Sequence, residues 1–440
     1  MNTTAAKATK LDIFNFRTPQ MRAFHMAWFA FFLCFFAWFG IAPLMQIVRA
    51  ELALTKAQVG NCIIASVAIT IIARLFIGWL CDRIGPRKTY TGVLLLGSLP
   101  VMCIGFAHSY ETFLLFRLGI GVIGASFVIT QYHTSVMFAP RIVGTANATA
   151  AGWGNLGGGV TQMVMPLLFG GLTAMGFAAS TSWRLCMVIA GGVCAFAGIL
   201  YYRVTQDTPA GNYSDLRATG KLHPKPPSGT FLMACRDHRV WALGLIYAAC
   251  FGVEITIDNI AALYFTDYFH LGLKTAGMVA ASFGMMNLFA RALGGIIGDR
   301  IGIAKGLRGR VLWLFAVLFG EGIFLIVFSR MTVLPYAIAA LVASGLFVKM
   351  SNGATYSVVP FINKKCLGSV AGIVGAGGNL GAVGLGFLFK STIPWPQALM
   401  IVGGLVCCAS FAAVAVRFSP AAEKAAREET ETALAQPEAA

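Results

Sequence analysis

Charge is scarce in this chain. Of 440 residues, only 11% are Asp, Glu, Lys or Arg, against roughly a quarter in a soluble domain. That deficit excludes an ordinary water-facing surface over most of the length and points to lipid as solvent. Close pairs of metal ligands are also missing. Eleven cysteines fall one or two per apolar segment, with no metal-site spacing and no secreted-type framework. They read as helix-packing residues, and neither a metal nor a cofactor is expected. No Gly-x-x-x-x-Gly-Lys-Ser/Thr loop occurs, which removes an ATP-driven pump, and no nucleophile–base motif marks an enzyme. A cleavable leader is not expected either. The first apolar run lies too deep and lacks a small-residue cleavage site, so it reads as a first span.

What the chain has in abundance is apolar sequence: 58% of its residues. Runs of 18 or more recur throughout, each long enough to cross a bilayer core of ~30 Å. They predict spans at 24–47, 57–81, 88–108, 112–138, 144–174 and 182–203, then 239–267, 274–299, 309–330, 333–361, 367–389 and 396–417. The net charge of +16 could suggest nucleic acid, but the basic residues sit in short loops. Alternate loops hold Arg83, Arg87 and Lys88, then Arg141, then Arg217, Lys221, Lys225 and Arg236, then Arg300, Lys305, Arg308 and Arg310, then Lys364 and Lys365. The other set holds little beyond Arg49, Lys56, Arg184, Lys274, Arg330 and Lys390. This bias makes the first set, and both termini, cytoplasmic. Residues 204–238, with Pro209, Pro224, Pro226 and Pro227, form the one long polar break. They divide an N-terminal bundle, 1–203, from a C-terminal bundle, 239–419. The Ala- and Glu-rich stretch 420–440 is expected to be a disordered cytoplasmic tail.

The two halves repeat. Arg74-Leu-Phe-Ile-Gly78-Trp-Leu-Cys-Asp82-Arg83-Ile84-Gly85 aligns without a gap on Arg291-Ala-Leu-Gly-Gly295-Ile-Ile-Gly-Asp299-Arg300-Ile301-Gly302, with six of twelve positions identical. Gly154-Asn155-Leu156-Gly157 recurs as Gly378-Asn379-Leu380-Gly381. Two six-helix repeats that start on the same side predict an all-α membrane protein. Its fold is the twelve-helix major facilitator fold, two pseudo-symmetric bundles related by a parallel two-fold.

The repeats also set depth. Arg74 precedes Asp82 by eight residues, about 12 Å along a helix, which puts it near the bilayer midplane. Arg291 precedes Asp299 by the same interval. An arginine at that depth is costly unless it faces a polar cavity or an anion. Asn155 and Asn379 each lie eleven residues beyond a matching glycine, Gly144 and Gly368, so they reach the same level. Their flanking glycines permit close helix approach, and packing alone accounts for most such glycines. Tyr247, Phe251, Glu254 and Asp258 follow one another at spacings of four, three and four, on one helix face. Two carboxylates inside a span are expensive and usually functional, although Asp258 also suits the lining of an outer mouth. Lys349 lies near mid-span at the position that mirrors Phe127, where it either adds to an anion field, pairs with Glu254 or snorkels. His133, inside a helix, reads as a packed or hydrogen-bonded core residue.

These segments resemble the nitrate/nitrite porter family of the major facilitator superfamily. Ala151-Gly152-Trp153-Gly154-Asn155-Leu156-Gly157-Gly158-Gly159 is similar to its nitrate signature, and Gly375-Ala-Gly-Gly-Asn379-Leu-Gly381 to the second copy. Arg117 to Gln131-Tyr132, Trp183-Arg184 and Asp207-Thr-Pro209-Ala-Gly211-Asn212-Tyr213 resemble further family segments, so the likeness runs from about 25 to 415. It implies that Arg74 and Arg291 bind the substrate, with Phe127, Tyr247 and Phe251 around it and Asn155 as a polar contact. Asn379 is its repeat counterpart. The loop at Asp82, Arg83 and Arg87, with Asp299 and Arg300 in the other half, resembles the superfamily signature whose charge pairs latch the inner gate. Phe251 to Asn259 resembles the acidic seventh helix of the proton-coupled, high-affinity branch, which implies proton coupling through Glu254, with Asp258 and Lys349 as relays. Lys349 departs from the uncharged polar residue expected there.

Nitrate is planar and weakly basic, and an arginine fork can donate to it in plane as a lysine cannot. The expected function is therefore import of nitrate, and of nitrite as a second substrate, by alternating access with proton symport. A nitrate/nitrite exchanger, a carrier of another small anion such as formate and a transporter-like nitrate sensor are the alternatives. The expected setting is a lipid bilayer, with the protein as a monomer in a plasma membrane. The short central loop suggests, by analogy, a bacterial inner membrane.

Overall fold

The computed structural model describes residues 7–8, 10–138, 143–220, 230–363 and 367–424. Within them, twelve helices are long and apolar enough to cross a membrane. They are Pro19–Glu51, Lys56–Gly78, Pro86–Phe106, Tyr110–Met137, Thr145–Ala174 and Ala179–Val204, then His238–Phe269, Leu273–Gly302, Ala304–Ser329, Leu334–Val358, Gly372–Lys390 and Trp395–Ala415. Each coincides with an expected apolar run. Numbered in this order, they are the first to twelfth spans.

Helix ends follow local chemistry. Thr18 accepts a hydrogen bond from the Met21 amide at the start of the first span. Thr55 and Gln58 form a reciprocal capping box at the start of the second, satisfying amides that have no partner inside the helix. The first span tightens into a 3-10 turn at Ala42–Leu44, where Pro43 lacks an amide hydrogen. The eighth is broken by a 3-10 turn at Met286–Leu288, which ends three residues before Arg291. The matched Asp-Arg-Ile-Gly motifs turn differently. Gly85 takes a left-handed φ of 88° and ends its helix. In the second half the chain turns four residues later, at Gly306 with φ 71°, because helix continues through Gly302. Only glycine takes such a φ without a steric penalty.

Packing repeats as the sequence does. The first span packs on the fifth as the seventh packs on the eleventh, and the third on the sixth as the ninth on the twelfth. The main contacts between halves, fifth on eighth and eleventh on second, exchange under the same two-fold. Glycines make these crossings close. A methyl at Gly157 would strike the Phe32 backbone of the first span, and one at Gly159 would strike Gly284 of the eighth. Arg117, fully buried, is structural: it donates to Trp38 O at 3.1 Å and Ser66 Oγ at 3.0 Å, clamping the fourth span to the first and second. His133 is held by the Tyr201 hydroxyl at 2.5 Å and Gln206 O at 2.8 Å, as a core histidine.

Candidate substrate site

The two repeat-related arginines meet in one aromatic chamber. Arg74 is 3% exposed and Arg291 2%. The Arg74 guanidinium lies 5.3 Å from the Phe127 ring and 5.5 Å from Phe251, and that of Arg291 lies 5.9 Å from the same Phe251. Phe251 stacks on Tyr247 at 5.0 Å, as expected for residues one turn apart. The Tyr247 hydroxyl accepts from Arg291 Nη2 at 2.9 Å. Tyr356, from the tenth span, closes the chamber edge-on to Tyr247 at 5.2 Å and Phe127 at 5.9 Å.

Arg74 donates to the Gly375 carbonyl of the opposite half at 2.6 Å. Its Nε and Nη2, and Nη1 of Arg291, have no hydrogen-bond acceptor among the described residues. A charged side chain at mid-bilayer costs about 2.5–3.5 kcal/mol on insertion scales, and a cation–π contact returns about 0.5–2 kcal/mol. The rings therefore offset the burial in part, and the Arg74 donors remain unmet beside them, while Arg291 Nη1 has only the Glu254 carboxylate at 3.7 Å. A small planar anion has the acceptors to satisfy them.

Beside the chamber lies a carboxylate cluster. Glu254 is fully buried, accepts from Asn287 Nδ2 at 2.9 Å and Asn352 Nδ2 at 2.6 Å, and is ion-paired with Lys349 Nζ at 2.8 Å and Arg291 Nη1 at 3.7 Å. Lys349, also fully buried, stands 4.4 Å over the Phe283 ring. Of the roles open to it in the sequence, the structure has it paired with Glu254. Asp258 is 2% exposed and so buried. Its carbonyl accepts from Gln162 at 2.5 Å, and its Oδ2 has no partner among the described residues.

Asn155 and Asn379 are both fully buried, and neither amide has a partner among the described residues. Helical spacing puts Asn155 on the face of Gly152 and Gly159, and a methyl at Gly152 would sit 3.7 Å from Arg291 Cβ. Asn379 shares a face with Gly375, the acceptor of Arg74. Each asparagine thus faces the helix that carries the other half's arginine. A methyl at Gly378 would meet the rings of Phe251 and Tyr247, so the second glycine motif makes room for the aromatic stack. Trp153 packs on Trp28 at 5.3 Å and Phe24 at 6.2 Å, outside the chamber.

Of the residues expected at a gate, the side chains of Asp82, Arg83 and Asp299 lie outside the described residues, and Arg300 is exposed. Arg87 is tied within its own half, donating to Tyr202 O at 2.8 Å over the Tyr202 ring. The Asp207 carboxylate accepts from the Arg87 and Tyr213 amides at 2.8 and 2.9 Å. The side away from the described N- and C-terminal segments is tied across the halves: Arg49 grips Asp267 through two 2.9 Å bonds, and Lys56 donates to Ile393 O at 3.0 Å.

Sequence reasoning missed Asn287, Asn352, Tyr356 and Glu321. A signal existed for three. Asn287 stands one turn before Arg291, and Lys349, Asn352 and Tyr356 follow at spacings of three and four on one face. For Glu321 there was none beyond a lone acid in an apolar run.

Comparison with known proteins accords with this architecture. The model of the Major Facilitator Superfamily matches residues 27–382. A bacterial homologue of the human lysosomal transporter Spinster, solved in an inward-facing, unoccupied conformation, shares the fold. Its TM-score is 0.67 at 16% identity, covering 92% of this chain and 99% of that one. High-affinity nitrate transporter 2.3 of Oryza sativa subsp. japonica is 40% identical over 384 residues, 87% of this chain and 74% of its own length. Nitrate transporter 2.1 of Chlamydomonas reinhardtii is 38% identical over 406 residues, 91% of this chain and 74% of its own. The nitrate/nitrite transporter NrtP of Nostoc punctiforme is 29% identical over 473 aligned positions, 91% and 93% respectively. The protein is thus a multi-pass membrane protein and a transporter, not an enzyme. It belongs to the nitrate/nitrite porter family of the major facilitator superfamily.

Proposed function

We propose that this chain imports nitrate, and nitrite as a second substrate, by alternating access coupled to proton symport. One observation carries the reading: two buried guanidiniums from opposite halves share the Phe251 ring and keep unmet donors beside it. The names of the relatives at 29–40% identity supply the anion. Nitrate would lie between Arg74 and Arg291, sandwiched by Phe127, Phe251 and Tyr247, with Asn155 and Asn379 as amide contacts. The two bundles, 1–203 and 239–419, would rock about it, with residues 204–238, both termini and the tail 420–440 in the cytoplasm of a bacterial inner membrane. Both arginines come from one chain, which supports a working monomer in the bilayer. Asp82, Arg83, Arg87, Asp299 and Arg300 would serve the inner gate.

Coupling follows from Glu254. Moving an anion into a negative cell costs ~2.3 kcal/mol per 100 mV, and nitrate, the anion of a strong acid, carries no proton of its own. Arg291 stands between the two ligands, 3.7 Å from Glu254 and in the anion chamber. Protonating Glu254 frees Arg291 for the anion, and by linkage the anion favours the proton. Asp258 would pass the proton on, and Lys349 would serve the coupling as counter-ion to the carboxylates. An exchanger needs no such acid, so the Glu254 cluster favours symport over nitrate/nitrite exchange. The test is nitrate uptake into nitrite-free proteoliposomes with imposed pH and voltage gradients. Symport requires acid outside to stimulate uptake and nitrate to carry protons inward. Uptake that needs internal nitrite, with no pH change, would replace symport by exchange.

A further inference from the structure

Glu321 is the one charged residue between Arg310 and Arg330, in the middle of the ninth span. Its side chain is fully buried, and neither carboxyl oxygen has a hydrogen-bond partner among the described residues. Its flanking glycines lock the backbone in place. A methyl at Gly320 would strike the Phe347 ring of the tenth span, and one at Gly322 would strike Gly403 and Cys407 of the twelfth. The titratable and polar groups that interact electrostatically with the carboxyl are Ser351 and Lys349 from the tenth span, Cys250 and Glu254 from the seventh and Cys407 from the twelfth. Ser351 already donates its hydroxyl to Phe347 O at 2.8 Å. Lys349, the cation that interacts with the carboxyl, is engaged with Glu254 at 2.8 Å.

We propose that Glu321 is a second proton-binding site, an internal donor and acceptor that exchanges a proton with Glu254 while Lys349 serves as counter-ion to whichever carboxylate is charged. The proposal rests on the symport reading above. A lone ionised carboxylate in an apolar interior is strongly disfavoured, so with Lys349 held by Glu254 the site accommodates the neutral acid. When Glu254 takes a proton and Arg291 turns to the anion, Lys349 loses its partner. Its freed charge then makes ionised Glu321 affordable. The proton that leaves a Glu321 oxygen is the one that arrives on Glu254, so the charge of the cluster is unchanged by the transfer. Glu321 then takes a proton from the outer solution, and Glu254 releases its proton to the inside once the anion has left and Lys349 pairs with it again. A packing role would need no acid here, since an apolar side chain of the same length avoids the burial cost.

The test compares Glu321→Gln with wild type in proteoliposomes, measuring both proton-driven net nitrate uptake and nitrate–nitrate counterflow, which does not require deprotonation. Expected is a tenfold or greater loss of net uptake, with counterflow within twofold of wild type and part of the net uptake restored in Glu321→Asp. Equal loss of both activities would make Glu321 structural, and retention of both would make it irrelevant to coupling. Either result overturns the proposal. If Glu321→Gln does not fold, Glu321→Met takes its place, and failure of both to fold marks a packing residue and also overturns it. Absence of nitrate-dependent proton entry in wild type would remove the symport reading itself. Proton entry in wild type with an unchanged Glu321→Gln would remove only the role of Glu321.

Discussion

Arg74 of the first half donates a 2.6 Å hydrogen bond to the Gly375 carbonyl of the second, so one arginine of the pair ties the halves together at the depth of the chamber. A lysine keeps the charge but loses the fork. Arg74→Lys and Arg291→Lys should each lower nitrate uptake by roughly thirtyfold or more, the equivalent of on the order of 2–5 kcal/mol for a buried charged contact. Membrane levels should be normal. Wild-type-like uptake by either variant would remove the arginine clamp.

The signature asparagines provide a graded test. Asn155 and Asn379 face opposite arginine-bearing helices with unpartnered amides. On the proposed site, Asn155→Ala should weaken nitrate binding more than Asn379→Ala, because the resemblance to the family implies a substrate contact for Asn155 alone. Binding isotherms on purified protein read the difference, and an equal or reversed order would contradict it.

The Glu254–Lys349 pair should behave as a buried ion pair. Removing one partner leaves an uncompensated charge and costs about 3–5 kcal/mol, whereas replacing both is much milder. Lys349→Met should lower thermal stability sharply, and Glu254→Gln with Lys349→Met should recover most of it. Glu254→Gln alone, with Lys349 free, should lose acid stimulation of uptake. Additive losses in the double variant would show that the two residues are not coupled.

Much of this site was legible because the chain repeats. Hydrophobic runs gave twelve spans, and the duplicated Arg-x7-Asp-Arg interval put Arg74 and Arg291 at equal depth. Spacings of four and three placed Tyr247, Phe251 and Glu254 on one face, where the structure has them. What stayed hidden depends on contacts between distant segments. Glu321 has no repeat counterpart and no polar neighbour on its own helix face, and its surroundings come from the seventh, tenth and twelfth spans. The Arg49–Asp267 pair joins residues 218 apart. The turn at Gly306 could not be read from the matched motifs, because the first half turns at Gly85 and the second does not turn at Gly302.

Asp207 anchors the segment after the sixth span through the Arg87 and Tyr213 amides. Burial pushes its carboxyl above the usual aspartate range, against the pull of those amides and of Arg87 and Lys88. Asp207→Ala should cost about 1–3 kcal/mol and speed proteolysis within 205–220. Because the folded-state pKa is raised, the stabilising effect of the wild-type carboxyl is fully present below the ordinary aspartate value. It declines as pH rises through the elevated one. The stability difference between wild type and Asp207→Ala should therefore shrink from acid to neutral pH. A difference that grows with pH would contradict this.

The most direct test of the substrate site is a nitrate-bound structure of the wild-type protein. Planar density is expected against the Phe251 ring, within hydrogen-bonding distance of both Arg74 and Arg291, with Arg291 drawn away from Glu254. Bound nitrate that contacted neither arginine, or that lay only near Arg49 and Lys56 on the far side, would contradict the two-arginine site.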